Sequence, residues 1–152
     1  MAVDRDGLRI FDRDGCLELL RTRPLGRLAV TSRALPAILP VKYCLLGDDV
    51  VFTAGTGARS LALVEGQVVA FQADDIDAET CSGWSVLVVG IPRAVGPDHP
   101  DYEAVAGLPL RPWMGRAAAP YMRMSTEHMS GRGLPCRPAG LSAHGADPAV
   151  GV

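Results

Sequence analysis

The residues best equipped for chemistry lie in one stretch, Thr53 to Ser60 (TAGTGARS). Thr53 brings a hydroxyl, Gly55 and Gly57 let a backbone come close to a bound group, and Arg59 and Ser60 stand where a helix would open. A phosphate asks for these partners: a cation, hydroxyls and free N–H groups at a helix start. The same stretch suits an ordinary strand–turn–helix junction with a solvated arginine, and taken alone it favours that plainer reading. It is not a nucleotide P-loop, because no Gly-Lys-Ser/Thr closes it, and no Gly-x-Gly-x-x-Gly follows a strand in this chain.

Other reactive side chains form no set. His99, His128 and His144 fall in loop or tail contexts, and no Ser/His/Asp arrangement is visible. His128 follows Glu127 and reads as a surface residue. Cys16, Cys44, Cys81 and Cys136 lack CxxC spacing and a histidine at zinc spacing, so neither a metal site nor a disulfide is predicted. Cys44 lies within an apolar strand pattern and reads as a small buried hydrophobe. Catalytic residues stay unassigned at this point.

The elements that must position Thr53–Ser60 follow from periodicity. Asp12 and Asp14 ahead of Cys16, Leu17, Leu19 and Leu20 predict a helix over 13–22, stopped before Pro24. β-rich runs then recur at 27–31, 36–46, 50–54, 67–73, 83–91 and 121–125. Gly47-Asp48-Asp49 joins the second and third as a hairpin. Pro40 places the second strand at an edge or bulge, since proline cannot donate to a ladder. The run 67–73 is nearly continuous in apolar residues and reads as buried on both faces. A short helix is expected over 58–65, ended by Gly66, and another over 98–106, capped by Asp98 or Asp101. Residues 1–12 read as a lead-in, the acid-rich stretch 74–82 as a surface loop, and 135–152 as a disordered tail. Six strands with two or three short helices predict a mostly β domain over 13–134, an antiparallel barrel.

The totals agree with one domain. The chain has 152 residues, 48% of them hydrophobic and 21% charged, with a formal net charge of -2. Scattered arginines and this charge give no reason to expect nucleic acid. No apolar run approaches the ~20 residues of a membrane helix, and acids at the N-terminus exclude a signal peptide, so a cytoplasmic protein is expected. The apolar strand at 83–91 would leave an exposed patch on a lone barrel, which predicts a homodimer.

In order and spacing, Gly26-Arg27-Leu28, Leu39-Pro40-Val41, Val51-Phe52-Thr53 and Gly55-Thr56-Gly57-Ala58-Arg59 resemble the pyridoxamine 5'-phosphate oxidase-like flavin-binding split-barrel family. Gly83-Trp84-Ser85-Val86, Arg111-Pro112-Trp113, Tyr121-Met122-Arg123-Met124 and Ser130-Gly131-Arg132 extend the likeness over residues 13–134. The resemblance implies a six-stranded split β-barrel that pairs as a homodimer, with two FMN sites, each in a cleft between subunits. It implies a phosphate held by the loop with Thr53, Gly57, Arg59 and Ser60, a cofactor contact at the adjoining Phe52, and a ring lined by Pro40, Val41 and Lys42. Lys42 stands where Asn or a small polar residue is common, and it can place a cation at the ring's electron-rich edge or simply face solvent. Trp84 and Trp113 match segments near the cofactor or dimer contact, against the plainer readings of a core residue and an edge cover. Members are diverse, so a small-molecule substrate is expected without being specified. An FMN-dependent oxidoreductase comes first. A deazaflavin-dependent reductase, a non-enzymatic flavin store or sensor, and a barrel without cofactor are the alternatives. The tail after Gly133 lacks the basic, substrate-gripping end of true pyridoxamine phosphate oxidases, which argues against that particular activity.

Overall fold

The structure is a computed structural model that describes residues 1–53, 64–110 and 120–135. Strand β1 (Arg9–Phe11) precedes helix α1 (Arg13–Arg21). Asp12 caps the helix, its carboxylate accepting from the Gly15 N–H at 2.8 Å. Asp14 in the first turn and Arg21 in the last match the helix dipole, and the chain leaves the helix at Thr22 before Pro24. Cys16, Leu17 and Leu20 form the buried stripe. Full burial of Leu20 alone contributes roughly 2 kcal/mol.

Strands β2 (Leu25–Ser32) and β3 (Leu35–Leu46) form the first hairpin, in register from Leu25↔Lys42 to Ser32↔Leu35. Gly26, Leu28 and Val30 are buried while Arg27, Ala29 and Thr31 are exposed, the period-two pattern of a half-solvated sheet. Gly26 is required where it stands, because a Cβ there would lie 2.3 Å from the Phe71 ring. The twelve-residue β3 serves two partners. Residues 35–42 pair with β2, and Tyr43–Leu46 pair with β4 (Asp49–Thr53), across the turn anticipated at Gly47. Pro40 therefore lies on a stretch with one neighbour among the described residues, the edge its ring requires.

Strands β5 (Val69–Ile76) and β6 (Gly83–Gly90) make a second hairpin. They are followed by β7 (Arg93–Val95), helix α2 (Tyr102–Ala106), β8 (Tyr121–Met124) and β9 (His128–Leu134). The order is β1-β9-β6-β5-β2-β3-β4-β8-β7, with every pairing antiparallel. This sheet curls round a core of Leu20, Leu28, Tyr43, Phe52, Phe71, Val86 and Met122, among others. Tyr43 meets Phe71 edge to face at 4.8 Å. A smaller cluster, Val51, Val95, Val105 and Leu110, packs α2 and residues 108–110 onto the other face of β4.

The mostly β class is as expected, but the described residues form nine strands rather than six. The six predicted strands are all present, and the three additions, β1, β7 and β9, are short or glycine-rich. β1 also shows that the lead-in is pinned. It pairs with β9, Val3 bridges Arg9, and the Asp4 carboxylate takes the Leu8 N–H and lies 3.3 Å from Arg132. β5 is not buried on both faces, since Val69, Phe71 and Ala73 point inward and Ala70 and Gln72 are half-buried on the other side. It also runs on through Asp74 and Asp75, residues expected in a loop. α2 starts later than expected, and Asp101 makes no capping bond because its carboxylate accepts from Arg123 instead, at 2.9 Å. The helix expected at 58–65 and the tail at 135–152 lie outside the described residues, except for Val64, Glu65 and Pro135. Gly66 has the left-handed φ of +72° suited to ending a helix. No described helix is long and apolar enough to cross a membrane.

Candidate functional site

Strand parity sorts the predicted site residues. Val41 and Tyr43 point into the core, so Pro40, Lys42 and Cys44 point out of it. On β4, Phe52 is the partner of Tyr43 and is fully buried, which puts Val51 and Thr53 on the Lys42 face. The structure thus brings the side chains of Pro40, Lys42 and Thr53 to one face. Val41 and Phe52 stand there through their backbones alone, since their side chains belong to the core. Trp84, the partner of Asp75 and Gly133, lies on the inner face, half-buried against the core, away from Lys42. Gly57, Arg59, Ser60 and Trp113 lie outside the described residues. They belong to the segments 54–63 and 111–119, which follow directly on Thr53 and Leu110.

A cleft of about 480 Å³ opens beside Lys42. It exists because β3 parts from β2 there. The Tyr43 N–H still donates to the Pro24 carbonyl at 3.1 Å, but from Cys44 onward β3 belongs to β4. One wall is the α1–β2 connector with Arg21 and Arg23, and the other is Leu108–Leu110. Leu20, Tyr43 and Leu45 supply apolar lining, and among the described residues no carboxylate lines it. Arg21 lies 3.9 Å from Asp48, and Arg23 is paired with Asp75. The Tyr43 hydroxyl donates to the Leu20 carbonyl at 2.6 Å, and burial pushes its phenol above the ordinary tyrosine range. Burial likewise raises the Cys44 thiol, which stays protonated near neutral pH. Cys44 is half-buried in this cleft rather than fully in the core. Arg21 and Arg23 were not among the residues predicted, because in sequence they only mark the end of a helix.

The outer face of the sheet carries two registered rows. Ile38, Ala29, Ala70 and Val89 form an apolar row across β3, β2, β5 and β6. Ile38 is 68% exposed, Leu87 40% and Val89 37%. Beside this row, Pro40, Arg27, Gln72 and Leu87 are in register, with Gln72 Nε2 donating to Asp74 at 2.6 Å and to Ser85 at 3.2 Å. Among the described residues no three His, Cys, Asp or Glu side chains gather as metal ligands.

Known proteins share this sequence pattern and fold. An uncharacterized protein of Mycobacterium tuberculosis, Rv0080, is 33% identical over 126 residues, covering 80% of this chain and 82% of that one. The FAD binding protein from Mycobacterium smegmatis has a similar structure, with TM-score 0.73 and 28% identity, covering 83% of this chain and 98% of that one. A conserved protein of unknown function from Corynebacterium diphtheriae matches with TM-score 0.70 and 27% identity over 84% of this chain and 98% of its own. The sequence profile of the family described as pyridoxamine 5'-phosphate oxidase matches residues 12–133. With β2–β3, β4 and the Lys42 face all inside that span, the chain belongs to the pyridoxamine 5'-phosphate oxidase-like family.

Proposed function

We propose that this protein binds a flavin nucleotide at the Lys42 face, works as a homodimer, and serves as an oxidoreductase on a small organic molecule. The observation that carries the reading is the convergence of Pro40, Lys42 and Thr53 on the face of β3–β4 turned away from the main core, with Thr53 buried there, at the point from which residues 54–63 continue. Those side chains fit the group. The outward strand surface at Pro40 gives a flat ring something to lie against, Lys42 gives a cation, and Thr53 a hydroxyl at the start of the phosphate-type sequence. FMN and FAD share the ring and its first phosphate, and the reading commits to that shared part. Flavin-binding in the Mycobacterium smegmatis structure, at 28% identity, supports it. A bound flavin would supply the hydride chemistry, which leaves positioning and charge to the protein.

The homodimer rests on the apolar row. Ile38, Val89 and Leu87 stand exposed with Ala29 and Ala70 between them, a face that a second copy would cover.

The test is the visible spectrum of the purified protein, followed by release and identification of the cofactor and titration with FMN and FAD. Oxidised-flavin bands or tight saturable binding are expected. A colourless protein indifferent to both would refute the reading and leave the deazaflavin as the next ligand to titrate. Arg59→Ala is expected to weaken flavin binding by about 1–3 kcal/mol, the loss of one charge-assisted contact. Unchanged affinity would place the phosphate elsewhere.

A further inference from the structure

We propose that the cleft between the α1–β2 connector and Leu108–Leu110 binds an organic acid, an apolar body ending in a single carboxylate, with Arg21 and Arg23 as its anion-holding residues. As a substrate site it rests on the flavin reading, since Lys42 is common to both, but as a binding site it does not.

Three observations point the same way. First, the lining is divided. Among the described residues Arg21, Arg23 and Lys42 are its charged groups, and Leu20, Leu45 and Leu110 are among its apolar ones. A ligand that satisfies both halves has an anionic end and an apolar end. Second, the arginines' existing partners are easily exchanged. Arg21–Asp48 spans 3.9 Å, and the Arg21, Arg23, Asp48 and Asp75 side chains are all 43–55% exposed. Such solvated pairs are worth little, so a carboxylate that is shielded in the cleft can compete for the guanidinium forks. Third, Asp48 is shared with Arg13 at 3.4 Å, so Arg13, Arg21 and Arg23 face only the two carboxylates of Asp48 and Asp75, and the single positive charge left over matches one negative charge better than the two of a phosphate monoester. The guanidinium forks suit the planar carboxylate, which accepts two parallel N–H bonds.

The probes are benzoate, its uncharged analogue benzyl alcohol, and phenyl phosphate, titrated against the full chain by calorimetry and by amide NMR. Benzoate is expected to bind saturably, shifting residues 21–24, 43–45 and 108–110, and to bind about tenfold or more tightly than benzyl alcohol. Arg21→Gln and Arg23→Gln are each expected to weaken benzoate about tenfold with the circular dichroism unchanged, and Arg21→Gln carries the test if Arg23→Gln does not fold. Equal binding of benzoate and benzyl alcohol, or wild-type affinity in both variants, would overturn the proposal. Phenyl phosphate binding more than tenfold tighter than benzoate would overturn the single-charge assignment. The titration is repeated on flavin-free, FMN-loaded and FAD-loaded protein. Benzoate retained in all three supports a substrate site. Benzoate lost only with FAD overturns that assignment and gives the arginines to the second phosphate of the dinucleotide. If neither flavin binds, the flavin reading fails while the flavin-free titration still decides the cleft.

Discussion

Replacing Ala29 with aspartate is expected to separate the proposed dimer into folded single chains. Ala29 sits within the apolar row, with Ala70 and Ile38 as its partners on the two neighbouring strands. Its side chain points away from the core and is exposed, so in a single chain the aspartate meets water. The cost to the monomer is then the modest strand preference, ~1 kcal/mol at most. Arg27, two residues along the same face, already faces Asp74 at 3.6 Å, and the short aspartate side chain reaches it poorly. In a face-to-face pair the carboxylate is pressed against Ile38 and Val89 without a partner, and an unpaired buried charge costs several kcal/mol, about 3 at the low end. A two-fold interface presents the change twice, so the penalty is about 6 kcal/mol per dimer, or roughly 10⁴-fold in the dissociation constant. Sedimentation velocity over a dilution series reads this directly against a chain mass of 16.0 kDa, with circular dichroism confirming the fold. Wild-type protein that sediments as one chain at every concentration would refute the dimer. An Ala29→Asp variant that stays dimeric at the same concentrations would refute this face.

Three further substitutions test the fold around the site. Tyr43→Phe removes a hydroxyl that donates at 2.6 Å to the Leu20 carbonyl, at a helix end whose carbonyls lack helical partners. It should destabilise the protein by about 1–2 kcal/mol and lower Tm by several degrees, and an unchanged Tm would show that the carbonyl is served otherwise. Arg33 and Ala34, with φ of +50° and +64°, hold the β2–β3 turn in the left-handed region without glycine or asparagine. Changing the pair to Asn-Gly should stabilise the chain by ~1–2 kcal/mol in chemical denaturation, and a loss of stability would contradict the turn geometry. The Asp77 carboxylate accepts from the Thr80 N–H at 2.8 Å, the Thr80 hydroxyl at 2.9 Å and the Glu79 N–H at 3.0 Å, and these bonds hold it below its ordinary value of 3.8, the Thr80 backbone bond most of all. A depressed carboxylate stabilises above its unfolded pKa and loses that contribution as pH falls through the folded one. Amide exchange in the 77–82 turn should therefore rise on acidification below about pH 4. Asp77→Asn should lack this acid step, and a step that persists in the variant would assign it to another group.

The six strands with a sustained β-rich run were legible because period-two alternation survives in the sequence. The other three were not, and β9 shows why. Gly131 lies under α1, where a Cβ would come 2.5 Å from the Cys16 sulfur, so close helix–sheet packing removes the very side chain that would announce a strand. The β2–β3 turn was silent for the opposite reason, since Arg33 and Ala34 adopt positive φ without the residues that advertise it. At the site, alternation along PAILPVKYC groups Pro40 with Lys42 and Val41 with Tyr43, but it cannot say which set is wet. That is settled by Phe71 and Leu20, which close over Tyr43 from β5 and α1. Arg21 and Arg23 were invisible as cleft residues because the gap they line is made by three elements distant in sequence.

That gap follows from one strand serving two registers. Had β3 stayed with β2 throughout, Cys44 and Leu45 would have pairing partners on that side, and Arg21 with the connector 22–24 would cover nothing. Had it left earlier, Lys42 would lose Leu25, its partner on β2. Departure at Tyr43 puts the last β2 partner, Lys42, at the lip of the opening. It also puts Thr53 one step beyond the Tyr43–Phe52 pair, on the Lys42 side of β4. The Tyr43 ring fixes this point. Its hydroxyl is held by Leu20, its edge by Phe71 and its N–H by Pro24, so helix α1, strand β5 and the connector all converge on the residue where the strand changes partner. A change that loosens Tyr43 should therefore reach the Lys42 face and the cleft together. If Tyr43→Phe lowers Tm yet leaves both flavin and benzoate affinity at wild-type values, the opening is set by the strand alone and not by the residue that anchors it.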